Sequence, residues 1–322
     1  MSPDLTHRSP EELTPEDSQA IGDLARRAAR ADGVDPLNEE SLLALRHRTP
    51  GRVHVLAHDQ DRLVGYGTLA HGSAEVVTDP DARKAGLGGR LLDALLEHDP
   101  ELLLWAHGDM DGGRRLAASR GMVPRRPLWR MERPVAGEFS ELPPVELPEG
   151  ISVRPFVAGQ DDEAWLRVNS RAFADHAEQG RMTAEDLTAR TQEDWFDASG
   201  FLLLVDDTRD GEVVGFHWTK VDQLPVGEVY VVGVDPERQG EGLGRVATLV
   251  GLHHLADRGV ETVELYVDGD NRAAVTTYGR LGFERAAVDV QYGPPARGAP
   301  RVPPHRTSPP APPQVTTTPW RR

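Results

Sequence analysis

The chain repeats itself, and this restricts its fold more than any other feature. Gly65-Tyr66-Gly67, in a strand-like stretch, matches Gly215-Phe216-His217 at an offset of 150. Asp79-Pro80-x-x-Arg83-x-x-Gly86-Leu87-Gly88 matches Asp235-Pro236-x-x-Gln239-x-x-Gly242-Leu243-Gly244 at an offset of 156. Arg120-Gly121-Met122 matches Leu281-Gly282-Phe283 at 161. Three markers in one order at a near-constant spacing imply two copies of one domain of roughly 140 residues. The length of 322 residues agrees, being too great for one typical core and suited to two. The joint is the proline-rich stretch RPVAGEFSELPPVELPEG at 133–150. The expected division is a first domain over 1–132, a linker over 133–150, a second domain over 151–292 and a tail over 293–322.

Within each copy the pattern is strand, one or two helices, a set of strands, a glycine loop, helix, strand, helix, strand. In the second copy ISVRPF, FLLLVDD, VVGFHWTKV, GEVYVVGV, TVELYVD and GFERAAVDVQY read as strands. DDEAWLRVNSRAF reads as an amphipathic helix with Trp165, Val168 and Phe173 inward. GLGRVATLVGLHHLADRG is a helix closed by Gly259, and NRAAVTTYGRLG is another. Strands and helices mixed in this way give an α/β (α+β) layer fold.

A formal net charge of −16 argues against a nucleic-acid partner, which requires a basic face. No apolar run approaches the ~18 residues of a membrane span, and the N-terminus lacks the regions of a signal peptide. The chain has no cysteine, so thiolate chemistry and disulfides are excluded and a reducing cytoplasm is the expected location. None of the twelve histidines stands in H-E-x-x-H spacing, so no metal is expected. The tail after Tyr292 holds ten prolines, five arginines and no acid, a composition expected to stay disordered. Two joined copies already make a pseudo-dimer, so a monomer is expected.

QGEGLG opens an amphipathic helix directly after a strand ending in Asp-Pro. A helix N-terminus presents unsatisfied N–H groups and partial positive charge, and glycines let a ligand approach the backbone. Such a loop is a candidate diphosphate cradle. Walker A is excluded because Arg245-Val246 follows the glycines instead of Lys-Ser/Thr, and the alternating glycines do not fit the G-x-G-x-x-G dinucleotide fingerprint.

The remaining pattern, R/Q-x-x-G-x-G in both copies, resembles the GCN5-related N-acetyltransferase (GNAT) superfamily over about residues 20–292. The resemblance implies two tandem acyl-CoA N-acyltransferase domains, each a mixed central sheet flanked by helices, with acetyl-CoA as co-substrate. It implies that the strand before the loop splays from its neighbour and that the pantetheine arm lies in the gap. The amides there would be those of Val232, Gly233 and Val234. The runs DGVDPLNEE, AFADHAEQG, GFHWTKV, GEVYVVGVDP, LYVDGDNRAAV and TYGRLGF resemble, in order, the mycothiol synthase family. That family acetylates the cysteinyl amine of cysteinyl-glucosaminyl-inositol. By this resemblance, further acetyl-CoA contacts fall on Gln239, Gly240, Glu241, Gly242, Leu243, Gly244 and Arg245, and on Asn271, Arg272, Ala273, Ala274, Val275 and Thr276. In the first copy they fall on Val76, Val77, Thr78, Lys84, Ala85, Gly86, Leu87, Gly88 and Gly89. Substrate contacts fall on Glu39, Glu178, Lys220, Glu228 and Tyr266. Read without the resemblance, Glu39 is equally an ordinary acid at the start of the helix in NEESLLAL.

A comparison of the copies separates their roles. Glu228 lies six residues before Val234, and strict alternation puts it on one strand face with Tyr230, Val232 and Val234. The first-copy equivalent, counted back from Asp79-Pro80, is Gly72. Tyr278 lies four residues before Gly282, whereas four before Gly121 is Ala117. The first copy is therefore expected to bind acetyl-CoA without catalysing, and the second to use Glu228 as base and Tyr278 as proton or hydrogen-bond donor. Two alternatives remain at this point. One is a tandem acetyltransferase for another amine, such as an aminoglycoside or peptide N-terminus; the other is a non-catalytic acetyl-CoA sensor.

Overall fold

The computed structural model describes residues 3–137, 141–174, 176 and 179–295; the expected disorder of the tail concerns residues that lie, from 296 onward, outside these. The first copy runs β1 (Asp4–Arg8), α1 (Pro15–Asp32), α2 (Glu39–His47), β2 (Val53–Asp59), β3 (Arg62–Ala70), β4 (Ser73–Thr78), α3 (Leu87–His98), β5 (Leu103–Ala106), α4 (Asp111–Ser119) and β6 (Val123–Pro134). The second repeats it: β7 (Ile151–Pro155), α5 (Asp162–Ala172), α6 (Ala184–Thr191), β8 (Phe201–Asp206), β9 (Glu212–Lys220), β10 (Val226–Val234), α7 (Leu243–Asp257), β11 (Thr262–Asp268), α8 (Arg272–Arg280) and β12 (Glu284–Gly293). None of the described helices is long and apolar enough to cross a membrane.

All twelve described strands join one sheet, ordered β1-β2-β3-β4-β5-β12-β6-β11-β10-β9-β8-β7. The order is the same from either edge except at its centre, where the last strands are exchanged. β12 of the second copy lies against β5, and β6 of the first lies against β11 from Thr262↔Pro134 to Asp268↔Leu128. The two exchanged strands pair with each other, antiparallel, from Glu284↔Glu132 to Gly293↔Val123. Each last strand thus covers an edge that the other copy would otherwise leave unpaired. The two copies form one continuous sheet.

Alternation along each strand divides the core into two layers. In the first copy Val55 and Ala57 pack with Leu91, Leu92 and Leu95 of α3, while Leu56 packs with Ile21 and Leu24 of α1. In the second, Leu204 and Val214 pack with Leu243 and Ala247 of α7, while Leu203, Phe216 and Trp218 pack with Trp165 of α5. The Gly65/Gly215 marker has a packing cause: a Cβ on Gly65 would stand 2.9 Å from Leu91 Cδ1 and one on Gly215 3.1 Å from the Gly233 carbonyl oxygen. The next marker position shows a volume exchange. Gly67 makes room for Leu95 on α3, where its Cβ would lie 3.1 Å away; at the matching positions His217 on β9 fills the space above Gly251 on α7. His217 donates from Nδ1 to the Ala247 carbonyl at 2.8 Å, and burial pushes its pKa down to about 4, which keeps it neutral.

One irregularity changes the expected faces. The β9–β10 register slips between Val229 and Val231, so β10 carries a bulge at Tyr230. Glu228 faces the side of α5, with Lys220 opposite it. After the bulge Val232 and Val234 face α7, within the Leu243–Val246 cluster. The alternation that places Glu228, Tyr230, Val232 and Val234 on one face therefore fails, because one extra residue inverts every side chain beyond it.

Candidate active site

The two halves of the repeated motif do different jobs. Asp235 turns the chain at the end of β10. Its amide donates to the Val214 carbonyl at 2.9 Å, and its carboxylate accepts from the Glu237 amide and from Arg171 of α5, both at 3.0 Å. Asp79 repeats this with Val64 at 2.8 Å, Asp81 at 3.1 Å and Arg27 of α1 at 2.9 Å. The Asp-Pro half is a turn device anchored to the first helix of each copy.

The glycine half leaves space. Gly240 has φ +88° and Gly242 φ +81°, and Gly86 repeats the latter at +81°; a side chain at these angles is strained. Gly242 and Gly86 are the N-caps of α7 and α3, and neither helix has a side-chain cap. A Cβ on Gly240, Gly242 or Gly244 would meet no atom within 4 Å, so the loop clears the approach to the helix start. Uncapped amides at the positive end of a helix dipole suit an anion. Glu241 is turned aside: its carboxylate accepts from Arg238 at 2.8 Å, and Arg238 also holds Asp206 at 2.7 Å. Gln239 and Arg245 are exposed on the rim.

Behind the loop the sheet forks. β10 and β11 run parallel from Val226↔Thr262 to Glu228↔Glu264 and then part, although both strands continue. The edge of Val232, Gly233 and Val234 that would face β11 opens on the gap. β4 and β5 part likewise after Ala74↔Leu104. Past β11, Asn271 caps α8 by accepting from the Ala274 amide at 3.1 Å, and Arg272, Ala273, Ala274, Val275 and Thr276 form its first turns.

Glu228 is the last paired residue before the fork. Lys220 Nζ lies 3.9 Å from its Oε2 and 2.5 Å from Oε1 of Glu39, which comes from the first copy. Lys220 also stands over the rings of Trp195 at 5.0 Å and Tyr230 at 5.4 Å. Arg190 Nε donates to the Tyr230 hydroxyl at 2.8 Å. Desolvation pushes Glu228 up to about 8; Glu39 and Glu264 add to this and Lys220 opposes it. Tyr266, two residues beyond Glu264, is 45% exposed and shares this face, and partial desolvation together with the neighbouring Glu264 and Glu228 raises its pKa. Tyr278 lies on the other face, against the cluster around Val229, Leu265 and Phe283, and burial pushes its hydroxyl up to about 12. Glu39, Lys220, Glu228 and Tyr266 are thus brought to one face, whereas Glu178 lies outside the described residues.

The Acetyltransferase (GNAT) family model matches residues 165–283. A mycothiol acetyltransferase from Thermobispora bispora is 53% identical over 290 residues, covering 87% of this chain and 96% of that protein. One from Thermomonospora curvata is 51% identical, covering 87% and 94%. The chain belongs to the mycothiol acetyltransferase family. Among solved structures, a GCN5-related N-acetyltransferase from Sphaerobacter thermophilus superposes with a TM-score of 0.63 at 26% identity, covering 91% of this chain and 96% of that one. A tandem GNAT protein from the clavulanic acid biosynthesis pathway has the same fold, with a TM-score of 0.66 at 18% identity over 90% and 97%.

In this mycothiol acetyltransferase family member the first copy differs from its sequence reading in one respect. Matched through the partner strands, where Gly65 corresponds to Gly215, the counterpart of Glu228 opposite Lys220 is Ser73 opposite Ala70. Counting back from Asp79 gives Gly72 because β4 lacks the bulge. The first copy also carries a cavity of about 720 Å³; of the nine expected contacts at 76–78 and 84–89, all but Ala85 line it. Three groups at the second fork had no signal in the sequence. Arg190 and Trp195 reach Lys220 and Tyr230 from the α6 region, and Glu264 stands opposite Glu228 only through strand register.

Proposed function

We propose that the chain transfers the acetyl group of acetyl-CoA to the cysteinyl amine of cysteinyl-glucosaminyl-inositol, giving mycothiol and CoA, and that the second copy does the chemistry. The observation that carries this reading is Glu228 at the fork behind an uncapped glycine loop. The diphosphate sits on the amides at the start of α7, the pantetheine arm lies along Val232–Val234, and the thioester reaches Glu228. An α-ammonium has a pKa near 8 and an ordinary glutamate near 4.3, which would make proton transfer uphill by roughly 5 kcal/mol. With Glu228 pushed up to about 8, that gap closes.

The neutral amine attacks the thioester carbon, the C–N bond forms and the C–S bond breaks. The nitrogen loses two protons in all, one to Glu228 and one that balances the departing CoA thiolate. Tyr278, pushed up to about 12, is a poor acid towards a thiol near 8.5, so its role is to donate a hydrogen bond as charge develops on sulfur. Tyr278→Phe is expected to lower kcat by roughly 10–10²-fold with little change in KM for either substrate, since it removes an interaction made as the bond breaks. Steady-state kinetics on both substrates would check this.

The first copy holds a second acetyl-CoA without turning it over: its loop has the same geometry, but Ser73 and Ala117 stand where the base and donor would be. The assay for the whole reading mixes the protein with acetyl-CoA and candidate amines. Turnover of the cysteinyl pseudodisaccharide well above that of an aminoglycoside or a peptide N-terminus is expected; no turnover of it overturns the reading.

A further inference from the structure

The first copy has a carboxylate of its own at its fork, and both of its oxygens are hydrogen-bonded within the protein. Glu75 is the first residue of β4 past the last pair with β5, and it is 2% exposed. It accepts from the Asn38 amide at 2.8 Å, from Ser41 Oγ at 2.5 Å and from His107 Nε2 at 2.8 Å. His107 is itself held from the second copy, its Nδ1 lying 3.4 Å from Asp289 on β12. Burial alone would lower the pKa of His107, but its hydrogen bonds to Asp289 and Glu75 outweigh burial and push it up to about 10, so it stands as an imidazolium. Both oxygens of Glu75 are engaged within the protein, and Ala117 stands at the position that matches Tyr278. Asn38 and Ser41 are the N-cap and first turn of α2, and Glu39, the first of the two residues between them on the chain, is the one that crosses to Lys220.

We propose that Glu75 is a positioning residue for the reaction: it pins the N-terminus of α2 so that Glu39 engages Lys220 and Lys220 stands off Glu228. The proposal rests on Glu228 being the base. Lys220 has two carboxylates within reach and lies much closer to Glu39, at 2.5 Å, than to Glu228, at 3.9 Å. If α2 shifts, Lys220 closes on Glu228 and holds it as a paired carboxylate, a poorer base. Serine, arginine and threonine complete the anchor: Arg52 donates to Ser41 Oγ at 2.9 Å and to Thr68 Oγ1 at 3.3 Å.

The test uses Glu75→Gln, Glu39→Gln and their combination, with Ser41→Ala as a milder second variant that leaves the carboxylate and the core shape in place. Lys84 and Lys220 are the only lysines, so the titration of Lys220 can be followed by NMR of 13C-lysine-labelled protein without any substrate. In Glu75→Gln, the Lys220 titration is expected to move from its native position, since Glu39 leaves it, Glu228 closes on it and Asp222 stays nearby. kcat/KM for the cysteinyl substrate should fall roughly tenfold while KM for acetyl-CoA holds, and in the Glu39→Gln background Glu75→Gln should add nothing further. An unmoved Lys220 titration in folded protein, or effects that multiply independently, would overturn the proposal. If Glu75→Gln fails to fold, Ser41→Ala is read by the same two criteria. Should the native protein not turn over the cysteinyl substrate, the functional reading fails, but the Lys220 titration still decides the positioning.

Discussion

Glu228→Gln is expected to cut kcat by roughly 10²–10⁴-fold while acetyl-CoA still binds, because glutamine keeps the shape of the side chain and cannot take a proton. The native enzyme should show kcat rising with pH through a limb near 8, where Glu228 gives up its proton, and levelling above it. In the variant that limb disappears. The same shift affects stability with a definite sign. A carboxylate raised from 4.5 to about 8 binds its proton more tightly in the folded state, so its contribution is fully present below about 4.5 and is lost as pH rises through 8. At pH 9 Glu228→Gln should therefore have a Tm at or above that of the native protein while its turnover collapses. A variant that unfolds, or one that retains native turnover, would count against Glu228 as the base.

Gly242→Val should raise KM for acetyl-CoA by roughly 10²-fold, about 2–3 kcal/mol. Two effects add. A β-branched residue at φ +81° is strained, and its side chain projects into space that is open on the protein side and needed by the ligand. Gly86→Val carries the same backbone strain at the first loop, where the geometry is the same. Calorimetry should show two acetyl-CoA sites in the native protein and one in each variant, with turnover lost only in Gly242→Val. A single native site that vanishes with Gly242→Val and survives Gly86→Val would mean that the first loop no longer binds.

Much of the second fork was legible because its signals are local. The Asp-Pro turn, the positive-φ glycines and the start of the helix that follows are consecutive in the chain, from Asp235 to Leu243, and each is a matter of turn chemistry or helix capping. Glu228 and Tyr278 emerged because one copy could be subtracted from the other. The subtraction went astray by one residue, to Gly72 in place of Ser73, since a bulge leaves no mark in a run such as GEVYVVGV, where every residue suits a strand. For the same reason the alternation placed Val232 and Val234 on the wrong face relative to Glu228.

The amino-acid order alone determined that there are two copies, which elements each contains, where the glycine loops fall and which copy bears a carboxylate and a tyrosine at matching points. These follow from periodicity and backbone preference, which act over a few residues. Only the tertiary structure decided that the last strands exchange places, that Glu39 meets Lys220 across 181 residues of chain, and that His107 joins Glu75 to Asp289 across separations of 32 and 182. Such contacts are set by strand register and by which edge a strand covers, and side chains brought together that way need share no pattern along the chain.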